Sequence, residues 1–364
     1  MLPVSLPLFQ KRPLERQATC LEPSILSTST GYRYEKAFAR SLELFPTLAR
    51  ISGTATFGIP GLAHTKMAEG VCECMTPQGI CVAGPYVLIT AYCNIRKYRM
   101  ELEKHPEKGA NPARLEAAKL HPQHRSVIYV VDKMTQEHIA TVTLPDCNHV
   151  GGISFDGTYV WIAKDTDQKM SAVLFSELQR VIDYGHGSVR YLATDRCKCN
   201  AVFTTTFRDR LWIGNSYSKK PGTLVCFKVT SPLGIPRIKR EGEIELPVLA
   251  QGALLADIGD KTVLAISVSG GRVNPSVVHR YEVDLSKVKP GNVLKLSDCK
   301  NLGELKLPPM MEEVALDPET NLVYTQFESA SSPYSAVEGN PCKSIVDRVC
   351  VSTLEDWFPE VIYQ

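Results

Sequence analysis

The sequence lacks several features that would assign the chain to a membrane or to nucleic acid. No apolar run approaches the roughly 18 residues that a membrane-spanning helix needs. Residues 1–9 are apolar but interrupted by prolines, without the basic start of a signal peptide. We therefore expect either a protein that stays in the cell or one whose export signal is missing from this chain. The formal net charge of +2 predicts neither a nucleic-acid partner nor attraction to an anionic membrane surface.

Common catalytic and metal-binding motifs are also missing. There is no GxSxG, HExxH or Walker pattern, and residues 270–272 are too short for a phosphate-binding loop. The chain is cysteine-rich, yet its 12 cysteines include no CxxC pair, which argues against zinc-ribbon and thioredoxin-like sites. What remains is the composition of an ordinary globular protein, long enough at 364 residues to bury a substantial core.

What the sequence does contain is a repeat in which an apolar strand, a short break and a second apolar strand follow one another. The five copies occupy residues 75–89, 151–162, 203–213, 251–266 and 312–324. Counted from the repeat starts near residues 76, 149, 200, 250 and 311, the repeats are roughly 50 to 73 residues apart, which is typical of propeller blades. An alternating third strand follows, and three copies add a fourth strand that ends in Leu-Pro, at residues 141–145, 243–247 and 304–308.

The repeats predict an all-β protein, a five-bladed β-propeller with four-stranded blades over residues 50–352. The last repeat is one strand short, and the alternating segment 51–58 is the natural donor that closes the ring. Residues 1–49 form an N-terminal extension, irregular over 1–31 and helical from about Tyr34 to Leu48, and 353–364 form a C-terminal tail.

A helical insertion interrupts the first repeat. Residues 94–121 lie between its second and third strands, with a bend expected near Gly109 and Pro112. In a four-stranded blade all second-to-third connections leave on one face of the disc. The insertion is therefore predicted to cover one mouth of the central channel as a lid, since connections of this length are usually functional or disordered.

Several short motifs resemble a known group of proteins. Residues 78–80 (Gln-Gly-Ile), 149–152 (His-Val-Gly-Gly) and 327–330 (Phe-Glu-Ser-Ala) resemble elements of a poorly characterised bacterial β-propeller family. Cys342 and residues 347–349 are similar to further elements of it, so the resemblance covers residues from about 75 to 350. The family is similar in kind to quinoprotein-like and NHL-like propellers. The resemblance implies the architecture and brings no established activity.

Polar residues at the channel and its mouth are the candidate site. The candidates for ligand binding are Gln78, His149, Lys164, Asn215, Tyr217, Gln251 and Arg272, and those for acid–base catalysis are Glu312, Glu328 and Asp165. Glu328 and Asp165 could cleave a glycosidic bond, which needs two carboxyls at about 5 to 10 Å. Arg272 could hold a substrate carboxylate or phosphate. The alternative is that these residues have only a structural role. They would then form ion pairs among the loops or hydrogen bonds to channel water and backbone.

The cysteines form a second pattern. Cys74 and Cys147 lie the same distance before a repeated glycine, Cys199 is nearly equivalent, and His149 is beside Cys147. We predict that Cys74, Cys147, His149 and Cys199 could gather at one mouth around a soft metal such as zinc. Disulfides between neighbouring links and inert packing remain the alternatives.

Two functions are compatible with these observations. The first is a monomeric propeller that binds a small molecule, a glycan or a protein partner at the mouth under the 94–121 insertion. The second is a hydrolase or lyase that acts on a carbohydrate-like substrate through carboxyl groups. The sequence alone leaves open whether the protein is an enzyme.

Overall fold

The computed structural model describes residues 32–67, 70–104, 112–335 and 341–362. The chain begins with helices α1 (Glu35–Leu44) and α2 (Pro46–Ile51), followed by the short strands β1 (Phe57–Gly58), β2 (Thr65–Met67) and β3 (Gly70–Cys72). The single helix predicted up to Leu48 is therefore two, because Pro46 lacks the N–H that would continue α1 and instead begins α2. The predictions for residues 1–31 and for a bend at Gly109 lie outside the described residues.

The body of the chain forms five blades around a central channel, as the repeats predicted. Blade 1 consists of β4 (Met75–Ala83), β5 (Tyr86–Cys93), α3 (Ile95–Lys104), α4 (Pro112–Leu120), β6 (Val127–Asp132) and β7 (His138–Thr143). Blade 2 consists of β8 (Gly152–Phe155), β9 (Tyr159–Lys164), β10 (Lys169–Leu174), α5 (Phe175–Asp183), β11 (His186–Ser188) and β12 (Ala193–Arg196). Blade 3 consists of β13 (Ala201–Phe207), β14 (Arg210–Asn215), β15 (Gly222–Thr230) and β16 (Arg237–Leu246).

The last two blades and a helical tail complete the chain. Blade 4 consists of β17 (Ala250–Ile258), β18 (Lys261–Val268), β19 (Ser276–Glu282), β20 (Val293–Leu294) and β21 (Lys300–Leu307). Blade 5 consists of β22 (Met311–Leu316), β23 (Leu322–Phe327), α6 (Ser332–Ser335) and β24 (Arg348–Thr353), and α7 (Leu354–Trp357) and α8 (Pro359–Ile362) follow. The inner strands β4, β8, β13, β17 and β22 neighbour one another in a closed ring. Among the described residues, no helix has the length and apolarity that crossing a membrane would take.

An N-terminal strand closes the ring, as predicted. β1 pairs antiparallel with β24, with Phe57 opposite Val349, and thereby becomes the outermost strand of blade 5. The backbone contact extends on both sides of β1, because Gly53 N–H donates to Val351 O (2.9 Å) and Ile59 N–H donates to Asp347 O (3.0 Å). The two ends of the chain thus share one sheet.

Blades 1 and 3 depart from the four-stranded prediction, because each gains a fifth strand from the following blade. β11 runs parallel to β7, and β20 runs parallel to β16. An outermost strand leaves unpaired N–H and C=O groups, and these short segments satisfy some of them. The helix α5, which the sequence analysis did not predict, leads into β11 and buries Leu178, Val181 and Ile182.

The hydrophobic core is divided among the gaps between neighbouring blades. Trp161 lies in the cluster between blades 2 and 3, and Trp212 lies in the cluster between blades 3 and 4. Both indoles are almost fully buried, so they pack between blades and are not free to stack on a ligand. Leu48 and Ile51 of α2 and Trp357 of α7 join the cluster between blades 4 and 5, so both terminal regions reinforce the closure.

One carboxylate connects four blades at the axis. Glu313, on the inner strand of blade 5, is fully buried. Its oxygens accept hydrogen bonds from the backbone N–H groups of Ile80 (2.8 Å) in blade 1, Ile153 (3.0 Å) in blade 2 and Thr204 (2.8 Å) in blade 3. Burial raises the pKa of Glu313 well above its ordinary range, although the three N–H donors oppose this shift by favouring the ionised form.

Glycines in the inner strands of blades 2 and 4 make room for Glu313. A Cβ atom at Gly152 would lie 2.7 Å from Glu313 Oε1, and one at Gly252 would lie 2.8 Å from Glu313 Cα. In the repeat, Gly79, Gly152 and Gly252 are equivalent to Glu313 itself. The channel is therefore narrow enough at this level for a single glutamate to span it.

We expect β1 to be required for cooperative folding. Replacing residues 53–59 by a Gly/Ser linker of equal length keeps α1 and α2 but removes the buried side chains of Phe57 and Ile59. Their loss should cost about 3 kcal/mol or more, a large part of a typical domain's stability. Urea unfolding should show a lower and broader transition. The same replacement at the exposed residues 231–235 is the control, and equal transitions for the two variants would contradict closure by β1.

Replacing Glu313 should destabilise the whole ring. Glu313→Ala leaves three buried N–H groups without an acceptor, and each such group costs about 1–3 kcal/mol. The matched control is Glu319→Ala, because the side chain of Glu319 is 73% exposed and its ion pair with Lys133 should contribute little. The midpoint of urea unfolding should fall strongly for the first variant only, and similar midpoints would show that the axial carboxylate is dispensable.

Candidate functional site

The two mouths of the channel differ in the connections that surround them. The tight hairpins between first and second strands lie on one side, called here the turn face. The inner strands begin on the other side, called here the insertion face, because the connection that contains α3 and α4 leaves there. A cavity of about 810 Å³ lies at the turn face, and its lining includes Ser154, Thr206, Arg208, Asp257 and Asp317.

Two glutamates meet at the insertion face. Glu312 is 5% exposed and lies in β22, and Glu328 directly follows β23, the antiparallel partner of β22. The register shifts between Met311 and Val314, which indicates a bulge that frees Glu312 and Glu313 from regular pairing. The side chains of Glu312 and Glu328 are hydrogen-bonded to each other, so one carboxyl carries a proton that the other accepts.

The surroundings of this carboxyl pair raise the pKa values of both groups. Burial raises the pKa of Glu328 to about 7, against the lowering effects of the His149 charge and of hydrogen bonds from Gln78, Tyr334 and Glu312. Burial and the adjacent Glu328 charge raise the pKa of Glu312 well above its ordinary range. Burial therefore favours the protonated form of both carboxyls, and the hydrogen-bonded pair titrates as a unit. The Gln78 amide donates to Glu328 Oε2 at 2.9 Å.

A histidine and an aspartate extend the pair toward solvent. His149 Nδ1 lies 3.1 Å from Asp165 Oδ1, and the two side chains are 25% and 29% exposed. The ring of Tyr92 packs edge-on against His149 with centroids 4.5 Å apart. Burial raises the pKa of Tyr92 well above its usual value, so its hydroxyl stays protonated. The insertion face thus offers an acid, a base, an imidazole and a phenol close together.

The insertion is anchored beside this group. Arg272, in a loop of blade 4, forms an ion pair with Glu101 of α3, with Nη1 3.1 Å from Oε2. The same guanidinium lies over the ring of Tyr334, 5.2 Å from its centroid. The Asn94 amide donates to the Tyr334 hydroxyl at 3.4 Å. Because Tyr334 also bonds to Glu328, the contacts of the insertion continue to the carboxyl pair.

The structure brings together five of the predicted site residues and places others elsewhere. Gln78, His149, Asp165, Glu312 and Glu328 form the group described above. Arg272 is occupied by Glu101 and by the Pro333 carbonyl (3.3 Å), so it stabilises the insertion and has little capacity left for an anion. Gln251 is half-buried at the equivalent start of the inner strand of blade 4.

The remaining predicted ligand-binding residues make contacts of their own. Lys164 Nζ binds Asp146 at 2.9 Å and lies over the Tyr191 ring. Asn215 Oδ1 accepts a hydrogen bond from the Asn200 backbone N–H at 2.9 Å, and Tyr217 packs under Lys220. These contacts stabilise the loops between blades.

The four predicted metal ligands do not form one group. Cys74 is buried, Cys147 is exposed, and Cys199 lies beside Cys197, whose thiol contacts the Cys199 carbonyl at 3.4 Å. Within the described ranges, the His, Cys, Asp and Glu atoms that could hold a metal gather at Cys72, Cys93 and His124 instead. Entry links of neighbouring blades diverge around the ring, whereas Cys93 and His124 belong to blade 1 and Cys72 ends the β2–β3 hairpin packed beside it.

Sequence analysis missed Glu313 and Tyr334. Glu313 could have been recognised from a doublet of glutamates that opens an otherwise apolar inner strand, since a charged residue there needs several donors. No sequence pattern marks Tyr334 as a site residue. It reaches Glu328 only because of the path that the connection between β23 and β24 takes in the folded chain.

Comparison with known proteins does not assign the chain to a family. No family model matches the chain, and no curated protein matches it. Among solved structures, Myxococcus xanthus glutaminyl cyclase is similar at 9% identity and a TM-score of 0.42, covering 77% of this chain and 90% of that one. A nidogen/laminin complex is similar at 12% identity and a TM-score of 0.36, covering 77% of this chain and 84% of that one. With TM-scores below 0.5, we base no argument on these similarities.

The hydroxyl of Tyr334 should lower the pKa of Glu328. Tyr334→Phe removes a donor to the carboxylate, so the pKa of Glu328 should rise above about 7. Carboxyl carbon chemical shifts followed through a pH titration measure this change. Tyr324→Phe, in β23, is the control and should leave the titration of Glu328 in place. An unchanged value in Tyr334→Phe would show that the phenol does not stabilise the ionised form.

Proposed function

We propose that the protein is an enzyme that performs acid–base catalysis on a neutral, carbohydrate-like substrate at the insertion face. The observation that carries this proposal is the buried, hydrogen-bonded pair of Glu312 and Glu328, in which burial raises the pKa of both carboxyls and that of Glu328 to about 7. Pairs of titratable groups whose environments separate their pKa values are typical of acid–base sites.

The roles follow from the protonation states. Glu328, with a pKa of about 7, is the base that accepts a proton from water or from the substrate. Glu312 holds a proton and is the acid that donates to a departing oxygen. Gln78 and Tyr334 orient Glu328 through hydrogen bonds and are positioning residues. Since the two carboxyls touch, they act from one side of the substrate, unlike the separated pair of a typical glycosidase.

The charges of the site favour a neutral substrate. Glu328 and Asp165 are acidic, and the nearby Arg272 is neutralised by Glu101 at 3.1 Å. An anionic ligand would meet a negative field without a free guanidinium. Hydroxyl groups, by contrast, fit the carboxylates, the imidazole of His149 and the phenol of Tyr92 as hydrogen-bond partners. A hydrolase or a lyase would each use this arrangement.

Ligand binding without turnover is the second candidate. It is favoured by the hydrogen bonds that Glu328 already receives from Gln78, Tyr334 and Glu312. A satisfied network of this kind can also serve to hold a rigid binding surface.

Substitution of the carboxyl pair separates the two candidates. The wild type, Glu328→Gln, Glu312→Gln and the exposed control Glu319→Gln are assayed with a panel of neutral 4-nitrophenyl glycosides and neutral oligosaccharides. Turnover should rise with pH through about 7 as Glu328 ionises, and fall at higher pH as Glu312 loses its proton. Glu328→Gln should reduce kcat by roughly 10²–10⁴-fold, the usual contribution of a general base.

The other outcomes decide against the enzyme. Binding of an oligosaccharide by calorimetry without release of product would support the second candidate and overturn catalysis. Turnover that persists in both Gln variants would remove the pair from the reaction. Neither binding nor turnover with any neutral glycan would overturn the substrate class.

A further inference from the structure

A second cluster of reactive side chains lies in blade 1, apart from the carboxyl pair. Cys72 ends β3, Cys93 ends β5, and His124 lies in the segment between α4 and β6. One ligand atom from each of the three lies within 4.8 Å of the other two. The three residues are 0%, 1% and 2% exposed, so the cluster is closed to bulk solvent.

The imidazole of His124 gives an independent reason to expect a ligand. Both of its ring nitrogens are buried, and neither has a nitrogen or oxygen partner within the described part of the chain; the contact shown for the ring is with the Cys93 thiol. A thiol is a weak hydrogen-bonding group, whereas a buried polar group without a good partner costs about 1–3 kcal/mol. A metal ion bound between the ring and the two sulfurs would supply a stronger partner.

The donor set selects the kind of metal. Thiolate and imidazole ligands favour soft or borderline ions, and two cysteines with one histidine are a common part of tetrahedral zinc sites. The ring of His121 lies 4.7 Å from that of His124, and its buried Nε2 also has no partner among the described residues. His121 is therefore placed to complete the coordination after a small side-chain rotation.

We propose that Cys72, Cys93 and His124 bind a zinc ion, with His121 as the fourth ligand. The site joins the β2–β3 hairpin, the second strand of blade 1 and the end of the inserted segment. Zinc therefore fixes the C-terminal end of the insertion to the propeller, while Glu101 and Arg272 fix α3 at the insertion face. Binding replaces the protons of the two thiols, which are released to solvent. This proposal is independent of the proposed enzymatic function.

Metal content of the intact protein is the direct test. Protein purified without chelator and with a phosphine reductant should contain one zinc per chain by mass spectrometry of metals. Cobalt added to the metal-free protein should give the absorption of thiolate-to-cobalt charge transfer. Removal of zinc should lower the thermal midpoint and increase proteolytic cleavage within residues 94–121, because the insertion loses its attachment.

Variants assign the ligands. Cys72→Ser, Cys93→Ser and His124→Asn should each weaken zinc binding by more than the roughly 100-fold that loss of an outer-shell partner costs. His121→Ala should have a smaller effect, since water can take the fourth position. Cys226→Ser is the matched control, because Cys226 is also buried but packs with Trp212 between blades 3 and 4. Circular dichroism verifies that each variant is folded.

Three results would overturn the proposal. The reduced wild-type protein could fail to bind zinc in a competition titration, a measurement that requires no variant. Peptide mass spectrometry could show a Cys72–Cys93 disulfide in the isolated protein. Folded Cys72→Ser and His124→Asn could retain zinc with the wild-type affinity.

Discussion

The closed ring depends on the hydrogen bonds that Glu313 accepts at the axis. Three inner strands from blades 1, 2 and 3 present backbone N–H groups to the channel, where no further strand can pair with them. A single carboxylate from blade 5 satisfies all three, and the glycines at the equivalent positions allow it to approach. Across the channel, the carboxyl of Glu313 thus links four blades whose apolar faces are buried against one another.

The same bulge that places Glu313 at the axis also creates the candidate site. Glu312 and Glu313 are neighbours in β22, and the charge of Glu313 contributes to the raised pKa of Glu312. In its ionised form, Glu313 therefore disfavours ionisation of its neighbour. Glu312 in turn donates to Glu328, whose pKa burial raises to about 7. Stability and the proposed chemistry are coupled through adjacent residues of one strand.

The insertion connects a distant part of blade 1 to this chemistry. Its helix α3 reaches Arg272 of blade 4, which stacks on Tyr334 of blade 5, which bonds to Glu328. A change in the position of the helix would therefore alter the hydrogen bonding of the base. The cysteine and histidine cluster lies at the other end of the same insertion. The sequence-based interpretation of residues 94–121 as a lid is compatible with these contacts and remains a prediction.

The five blades, the closure by an N-terminal strand and the place of the insertion could be predicted from the sequence, because alternation and turn residues are local signals. Glu312 was a candidate because it begins an inner strand, and Glu328, Asp165 and His149 were candidates because they lie in loops at the mouth. Which of these residues contact one another follows from the packing of the blades and could not be predicted. The bulge at Glu312 and the fold-back of Tyr334 depend on sheet register, which alternation does not specify. The grouping of Cys72, Cys93 and His124 likewise depends on how three separate segments pack in blade 1.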